Sequence, residues 1–142
     1  MSEKQESYNT EGYKGLQSEI RGLVIEPKLE VVENRFPDRE YIVEFDSEEF
    51  NAICPKTGLP DFAKVKIAYV PDKCLVESKS LKLYLNAYRT IGIFHEHAIN
   101  KIFEDVIKIA NPKRASITGN FNARGGIAIN VVINYERKKG EV

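Results

Sequence analysis

The sequence has no excess of charge of either sign, because 21 lysine and arginine residues balance 21 aspartate and glutamate residues. Proteins that bind nucleic acids directly depend on neutralising phosphates, so this balance argues against nucleic acid as a partner. The sequence also lacks the roughly 18 to 20 consecutive apolar residues that a membrane span requires. Its opening residues have no apolar core like that of a signal peptide, and we therefore expect a cytoplasmic protein without membrane contact.

Cysteine is scarce, since the sequence contains only Cys54 and Cys74. Two cysteines are too few for the disulfide framework of a secreted protein, and in a reducing compartment both are expected to be free thiols. A glycine-rich dinucleotide fingerprint after a strand is also missing, which excludes a Rossmann domain. With 142 residues the chain has the length of one domain, so any large cofactor must bind to this fold or between copies of it.

The composition is that of a folded globular protein, with 42% apolar and 30% charged residues. Residues 1–24 are mainly polar and show neither helical nor strand periodicity, which predicts a mobile N-terminal arm. Residues 25–142 are predicted to form a single domain.

Hydrophobic periodicity predicts four strands. Apolar and polar residues alternate in them, as expected for strands with one buried face. The strands are expected at residues 41–45, 62–70, 116–121 and 127–135.

Two helices are predicted between the second and the third strand. Apolar residues recur at helical spacing through residues 98–110, in a helix that begins near His95 and ends at an Asn-Pro pair. A shorter helix begins at Ser78, with Ser78 or Ser80 as its N-cap, although the alternating leucines of residues 81–85 also suit a strand. This order predicts an α+β domain in which two helices pack on one face of a four-stranded antiparallel sheet.

The segment CPKTGLPD joins the first two strands, and its prolines and glycine predict a fixed loop. It carries Cys54 at one end and Asp61 at the other. A thiol with an acid-base partner fits a nucleophile, because only the deprotonated thiol attacks and its proton has to be taken up. A free cysteine is more often a buried core residue, and both interpretations stay open for Cys54. Cys74 has no acid or base beside it, which favours a core role.

Two groups of polar residues lie at the starts of the predicted helices. Lys79 and Lys82 share one helical face, where two ammonium groups and the helix N-terminus can bind a phosphorylated ligand. A solvated helix face explains the same two lysines without a ligand. His95, Glu96 and His97 begin the second helix, where a carboxylate in the first turn is also typical of helix-dipole compensation.

Four segments in a fixed order, CPKTGLPDF, VESKSLKLYL, FHE and ARGG, resemble the NADPH-dependent 7-cyano-7-deazaguanine reductases. They span residues 54–126, and the ESKS-L-K and CPKTG-x-PDF patterns are the most specific of them. The resemblance implies the tunnelling fold, in the short single-domain form of the enzyme. It also implies reduction of the nitrile of 7-cyano-7-deazaguanine to an aminomethyl group, a step toward the queuosine modification of transfer RNA.

The resemblance implies three catalytic residues. Cys54 attacks the nitrile carbon to give a thioimide, which accepts hydride more readily than the nitrile does. Asp61 takes the thiol proton as the attack proceeds and passes it to the nitrile nitrogen, a role for which we expect it to be buried. His95 protonates the imine that remains after the thiol is expelled.

The resemblance also implies binding residues. Glu96 is expected to accept hydrogen bonds from the ring N–H and the exocyclic amine of the deazaguanine. Further substrate contacts are expected from Val76, Glu77, Ser78 and His95. The phosphates of NADPH, the one cofactor implied, are assigned to Lys79, Lys82 and Arg124, and no metal is implied.

Members of this family assemble their sheets into barrels with sites between subunits. We therefore expect a homo-oligomer of one pentameric ring, or of two such rings in a decamer.

Two alternatives remain. Tunnelling-fold relatives include zinc-dependent GTP cyclohydrolases and pterin synthases, and Cys54, Cys74, His95 and His97 could be offered as zinc ligands. Their spacing matches no common zinc site. The other alternative is a non-catalytic deazapurine binder.

Overall fold

The structure, a computed structural model, describes residues 20–140. In this part of the chain the four predicted strands and both predicted helices are present, together with two short strands. The elements are β1 (Val31–Glu33), β2 (Val43–Ile53), β3 (Pro60–Val70), β4 (Cys74–Val76), α1 (Ser78–Asn86), α2 (His95–Ala110), β5 (Arg114–Arg124) and β6 (Ile127–Glu136). Short 3-10 helices lie at Ile20–Gly22 and Ala87–Thr90. Most of the N-terminal arm expected at residues 1–24 lies outside the described residues.

The four long strands form one antiparallel sheet in the order β2-β3-β5-β6. Along β3 the side chains alternate as predicted, with Val65 and Ile67 buried and Lys64 and Lys66 exposed. β1 and β4 form a separate two-stranded antiparallel sheet. The expectation of a single four-stranded sheet is therefore corrected to two sheets. The short strands were missed because three residues are too few to show an alternating pattern.

Helix α2 carries the predicted apolar stripe, and Ile99, Ile102 and Val106 are buried in the core. It contacts β5 and β6. Helix and strand approach closely at Gly119 of β5, where an added Cβ would lie 2.5 Å from Cδ1 of Ile99. A side chain at position 119 would therefore displace the Ile99 side chain. Within residues 20–140, no helix has the length and apolar composition of a membrane span.

Helix α1 begins at Ser78, as predicted, but its N-cap is Glu77. The carboxylate of Glu77 accepts hydrogen bonds from the N–H groups of Lys79 at 2.9 Å and Ser80 at 2.6 Å. The prediction of Ser78 or Ser80 as the cap was therefore wrong. The Ser80 hydroxyl instead accepts a hydrogen bond from the N–H of Glu30 at 2.9 Å, which ties α1 to the segment before β1.

The turn between β2 and β3 is shorter than predicted. β2 continues through the polar residues 46–49 to Ile53, and β3 already begins at Pro60, a position in a strand that proline tolerates. Ile53 also donates a hydrogen bond to the carbonyl of Ile91 at 2.9 Å and accepts one from the N–H of Ile93 at 3.0 Å. These bonds place the start of α2 beside the turn.

Candidate active site

Asp61, the second residue of β3, makes two close contacts with basic side chains. Its Oδ2 lies 3.0 Å from Nε2 of His95, the first residue of α2. Its Oδ1 lies 3.3 Å from Nε of Arg124, the last residue of β5. The Arg124 guanidinium also donates a hydrogen bond to the carbonyl of Pro60. Three residues predicted from separate segments are thus brought together by the ends of three elements.

The carboxylate of Asp61 is nearly enclosed, with 7% of its side chain exposed, against 17% for His95 and 47% for Arg124. This burial agrees with what a proton shuttle requires. The ring of His95 stacks on Phe121, with 3.9 Å between the ring centroids and 11° between the ring planes. Phe121 therefore fixes the plane of the imidazole, which directs Nε2 toward Asp61.

Cys54 begins the tight turn between β2 and β3. Its N–H donates to the carbonyl of Leu59 at 2.8 Å, and its carbonyl accepts from the N–H of Gly58, also at 2.8 Å. Gly58 has a φ of 74°, a left-handed conformation that glycine adopts at little cost. The turn is therefore closed by backbone hydrogen bonds, and it holds the half-buried thiol in place.

The pKa values of the two thiols are shifted in opposite directions. For Cys54, burial raises the pKa, and the nearby Asp61 carboxylate raises it further. Hydrogen bonds from the Thr57 hydroxyl and from the backbone N–H groups of Thr57 and Lys56 outweigh both effects, so the pKa of Cys54 lies below its usual value. For Cys74, burial and a nearby carboxylate raise the pKa. Cys54 is therefore the thiol that ionises more readily.

Glu96 lies at the same end of the sheet as these residues. It follows His95 in the first turn of α2, and it is exposed. One end of the sheet thus carries Cys54, Asp61, His95, Glu96 and Arg124.

Of the other predicted substrate contacts, Val76 lies at the opposite end of the sheet. The N–H of Val76 donates to the Tyr69 hydroxyl at 2.9 Å. Tyr69 is eight residues along β3 from Asp61, a distance of about 26 Å at roughly 3.3 Å per residue. Glu77 and Ser78 directly follow Val76. Within one chain Val76 therefore does not reach a base that is bound beside Asp61.

The start of α1 combines a capped helix end with exposed lysines. Hydrogen bonds from the N–H groups of Lys79 and Ser80 lower the pKa of Glu77. Lys79 and Lys82 are exposed. Ser78 and Lys82 border a cleft of about 400 Å³ between α1 and β2. Lys82 therefore presents an ammonium group at an open cleft, and Lys79 lies three residues before it on the same helix.

The alternative zinc ligands do not meet within one chain. Sγ of Cys74 lies 3.4 Å from the carbonyl oxygen of Ala110, the last residue of α2, whereas His95 is its first residue. The 16 residues of α2 separate the two by about 24 Å. Within the described part of the chain, no three histidine, cysteine, aspartate or glutamate side chains form a group that could hold a metal ion.

Comparison with known proteins identifies the family. The family model described as QueF-like protein matches residues 60–140. The chain belongs to the QueF-like family. It is 45% identical over 136 residues to the NADPH-dependent 7-cyano-7-deazaguanine reductase of Thermoanaerobacter pseudethanolicus, and the match covers 96% of this chain and 96% of that protein. It is 53% identical over 110 residues to the protein of the same name from Syntrophus aciditrophicus, covering 78% of this chain and 79% of that protein. The resemblance found in the sequence is confirmed.

A solved structure shows that this QueF-like chain shares its fold with another member of the family. The apo form of the archaeosine synthase QueF-Like superimposes with a TM-score of 0.61, over 66% of this chain and 91% of that one. The two are 22% identical, so the likeness concerns the fold alone.

Two residues of the QueF-like site were not predicted. Phe121 stacks on His95 only because β5 pairs with β3, and this pairing leaves no mark in the local sequence. Thr57 lies inside the CPKTG pattern, three residues after Cys54, and this closeness was a signal that the sequence did offer.

Proposed function

We propose that this QueF-like protein reduces the nitrile of 7-cyano-7-deazaguanine to the aminomethyl group of 7-aminomethyl-7-deazaguanine, with NADPH as the reductant, in queuosine biosynthesis. Relatives that share most of their length with it are named for NADPH and this substrate. The single observation that carries the mechanism is the Cys54 thiol, whose pKa is lowered beside the buried Asp61. A free thiol nucleophile and an NADPH-dependent reaction suit the cytoplasm, where we place the enzyme.

Substrate recognition is assigned first to Glu96. Its exposed carboxylate accepts hydrogen bonds from the ring N–H and the exocyclic amine of the deazaguanine, which is a charge-assisted, two-point contact. An adenine-like edge lacks this pair of donors and is rejected. Because Glu96 adjoins His95, the base is held with its nitrile near the proton-transfer pair.

The first chemical step is the addition of Cys54 to the nitrile. A bond forms between Sγ and the nitrile carbon, the triple bond becomes a double bond, and the nitrogen takes up the proton that the thiol loses. Asp61 carries this proton from sulfur to nitrogen. Its burial keeps bulk water from competing for the proton, and its contact with His95 keeps the carboxylate in one orientation.

The reduction uses two equivalents of NADPH, which when bound supplies one hydride to the thioimide carbon and a second hydride to the imine. Between the two reductions the carbon–sulfur bond breaks and Cys54 leaves as a thiolate. His95 protonates the imine nitrogen, and its stacking on Phe121 holds the ring in place for this transfer. The product is the primary amine, and the Cys54 thiol is regenerated.

Lys79, Lys82 and Arg124 are assigned to the phosphates of NADPH. Lys82 at the cleft beside α1 and the exposed Lys79, three residues before it, fit this role. Arg124 fits it through the terminal N–H groups of its guanidinium, while its Nε stays 3.3 Å from Oδ1 of Asp61.

The separation of the two groups of site residues supports a site built by two chains. The N–H of Val76 is bonded to Tyr69, which lies about 26 Å along β3 from Asp61, farther than one base can span. β2 and β6 are the edge strands of the sheet, and pairing β6 of one copy with β2 of the next would extend it into a closed barrel. We therefore propose the tunnelling-fold assembly, with pentameric rings, alone or paired in a decamer.

Turnover of the purified protein tests the function. The protein is mixed with 7-cyano-7-deazaguanine and NADPH, and the loss of nicotinamide absorbance is compared with the amine formed. We expect two NADPH oxidised per amine, no oxidation by Cys54→Ser, and unchanged turnover by Cys74→Ser, the matched control. Substrate binding without NADPH oxidation would instead identify a non-catalytic deazapurine binder. Activity that depends on stoichiometric zinc would identify a cyclohydrolase-like enzyme.

A further inference from the structure

The turn after β2 places a second hydroxyl-bearing residue against the candidate nucleophile. Thr57 follows Cys54 by three residues, and the bond from the N–H of Gly58 to the carbonyl of Cys54 folds the chain back on itself. The side chain of Thr57 is thereby brought into hydrogen-bonding contact with the thiol.

The Thr57 hydroxyl keeps its proton available for donation. Its Oγ1 accepts a hydrogen bond from the N–H of Leu59 at 3.2 Å. A hydroxyl has one proton to donate, and an oxygen that already accepts from the backbone is free to point that proton elsewhere. The neighbour in contact with it is Sγ of Cys54, and the turn therefore presents a donor to the sulfur.

We propose that Thr57 is a further catalytic residue of the reaction, whose hydroxyl donates a hydrogen bond to the Cys54 thiolate before it attacks and again when it is expelled. The proposal rests on the proposed role of Cys54 as the nucleophile. No bond to Thr57 forms or breaks, and its proton stays on oxygen throughout.

The charges around the thiol explain why such a donor is needed. Asp61 raises the pKa of Cys54, so the residue that receives the thiol proton also disfavours the thiolate. A hydrogen bond to an ionised acceptor is stronger than one to a neutral acceptor, so the Thr57 hydroxyl stabilises the thiolate more than the thiol. The backbone N–H groups of Thr57 and Lys56 act in the same direction. The CPKTG turn therefore supplies a set of donors that offsets the carboxylate.

The test measures the ionisation of Cys54 rather than turnover. The rate of alkylation by iodoacetamide is followed against pH, with the two cysteine-containing peptides resolved by mass spectrometry so that Cys74 serves as an internal control. The variants are Thr57→Val, which keeps the branched shape and removes the hydroxyl, and Thr57→Ser, which keeps the hydroxyl. For Thr57→Val we expect the Cys54 profile to move to higher pH and its rate at neutral pH to fall about tenfold, the size expected for one hydrogen bond to a charged group.

Three comparisons keep this effect apart from a loss of structure. At high pH, where the thiol is fully ionised, Thr57→Val should reach a plateau rate at least as high as that of the native protein, since a thiolate without its donor is no less nucleophilic. Thr57→Ser should restore the native profile, and Cys74 should be unaffected in both variants. An unmoved Cys54 profile in Thr57→Val, a lowered plateau, or an equal loss in Thr57→Ser would overturn the proposal.

The outcome also separates this proposal from the proposed function. If Cys54→Ser abolishes nitrile reduction while Thr57→Val leaves the thiol profile unchanged, Cys54 remains the nucleophile and Thr57 has no part in it. If Cys54→Ser still reduces the nitrile, the proposed mechanism is wrong, whatever the effect of Thr57 on the thiol.

Discussion

Nε of Arg124 lies 3.3 Å from Oδ1 of Asp61, so the arginine assigned to the cofactor phosphates is held on the carboxylate assigned to proton transfer. Arg124 reaches it from the end of β5, where Gly125 and Gly126 turn the chain with φ values of 59° and 79°. Arg124 therefore serves both the proposed cofactor site and the proposed proton transfer. Lys79 and Lys82 serve the cofactor site alone.

Replacing the phosphate-binding residues should therefore give two different kinetic results. Lys79→Ala should raise the KM for NADPH about tenfold and leave kcat unchanged, because it removes one charged contact. Arg124→Ala should raise the KM for NADPH and also lower kcat, because Asp61 loses a partner as well. Steady-state kinetics with varied NADPH measures both effects. A lowered kcat in Lys79→Ala, or an unchanged kcat in Arg124→Ala, would contradict this division of roles.

Removing the proton-carrying group of Asp61 should slow the reaction without disturbing the fold. Asp61→Asn keeps the size of the side chain but not its ability to take the thiol proton, and we expect kcat to fall at least about a hundredfold. Single-turnover kinetics checks the chemical step directly. Asp38→Asn, in the exposed turn between β1 and β2, is the matched control and should keep full activity. Near-native kcat in Asp61→Asn would mean that another group carries the proton.

A site shared between chains predicts complementation. Cys54→Ala and Glu77→Gln each damage a different half of the proposed site, so each homo-oligomer should have little activity. After mixed dissociation and reassembly, some sites combine an intact half from each chain, and activity should return to about a quarter of the native value. Reassembly of each variant alone is the control. If the mixture gains nothing, both halves of the site come from one chain.

The cap of α1 predicts an acid-dependent loss of stability. Hydrogen bonds from two backbone N–H groups lower the pKa of Glu77 in the folded state. The stability it contributes is therefore fully present above its unfolded pKa of about 4.3, and is lost as the pH falls through the lower folded value. The Tm of the native protein should converge on that of Glu77→Gln as the pH is lowered. Glu33→Gln, on β1, is the control, and an equal convergence in both variants would contradict the assignment.

Sequence patterns predicted the elements that are long enough to show a period. Residues 98–110 revealed α2 because every apolar position of its stripe faces the core, and residues 62–70 revealed β3 by strict alternation. The three-residue strands β1 and β4 have no such pattern, and they form only because each pairs with the other. Glu77 was missed as the cap because serine is the commoner capping residue and two serines stood beside it.

The site could be predicted as a set of residues but not as an arrangement. The motifs named Cys54, Asp61 and His95, and the structure brings Asp61 and His95 into contact. The local sequence does not show that Val76 lies at the far end of β3, because that depends on the bond from its N–H to the Tyr69 hydroxyl. Contacts of this kind follow from strand register and helix packing, which are properties of the whole chain.

The most direct test of the central claim is to trap the bond between the enzyme and its substrate. The protein is mixed with 7-cyano-7-deazaguanine in the absence of NADPH and examined by intact-protein and peptide mass spectrometry. Addition of a thiol to a nitrile expels nothing, so we predict a mass increase equal to one whole substrate molecule, located on the peptide that contains Cys54 and absent from Cys54→Ser. An adduct on Cys74, or the lack of any adduct in a preparation that turns over when NADPH is added, would contradict the account.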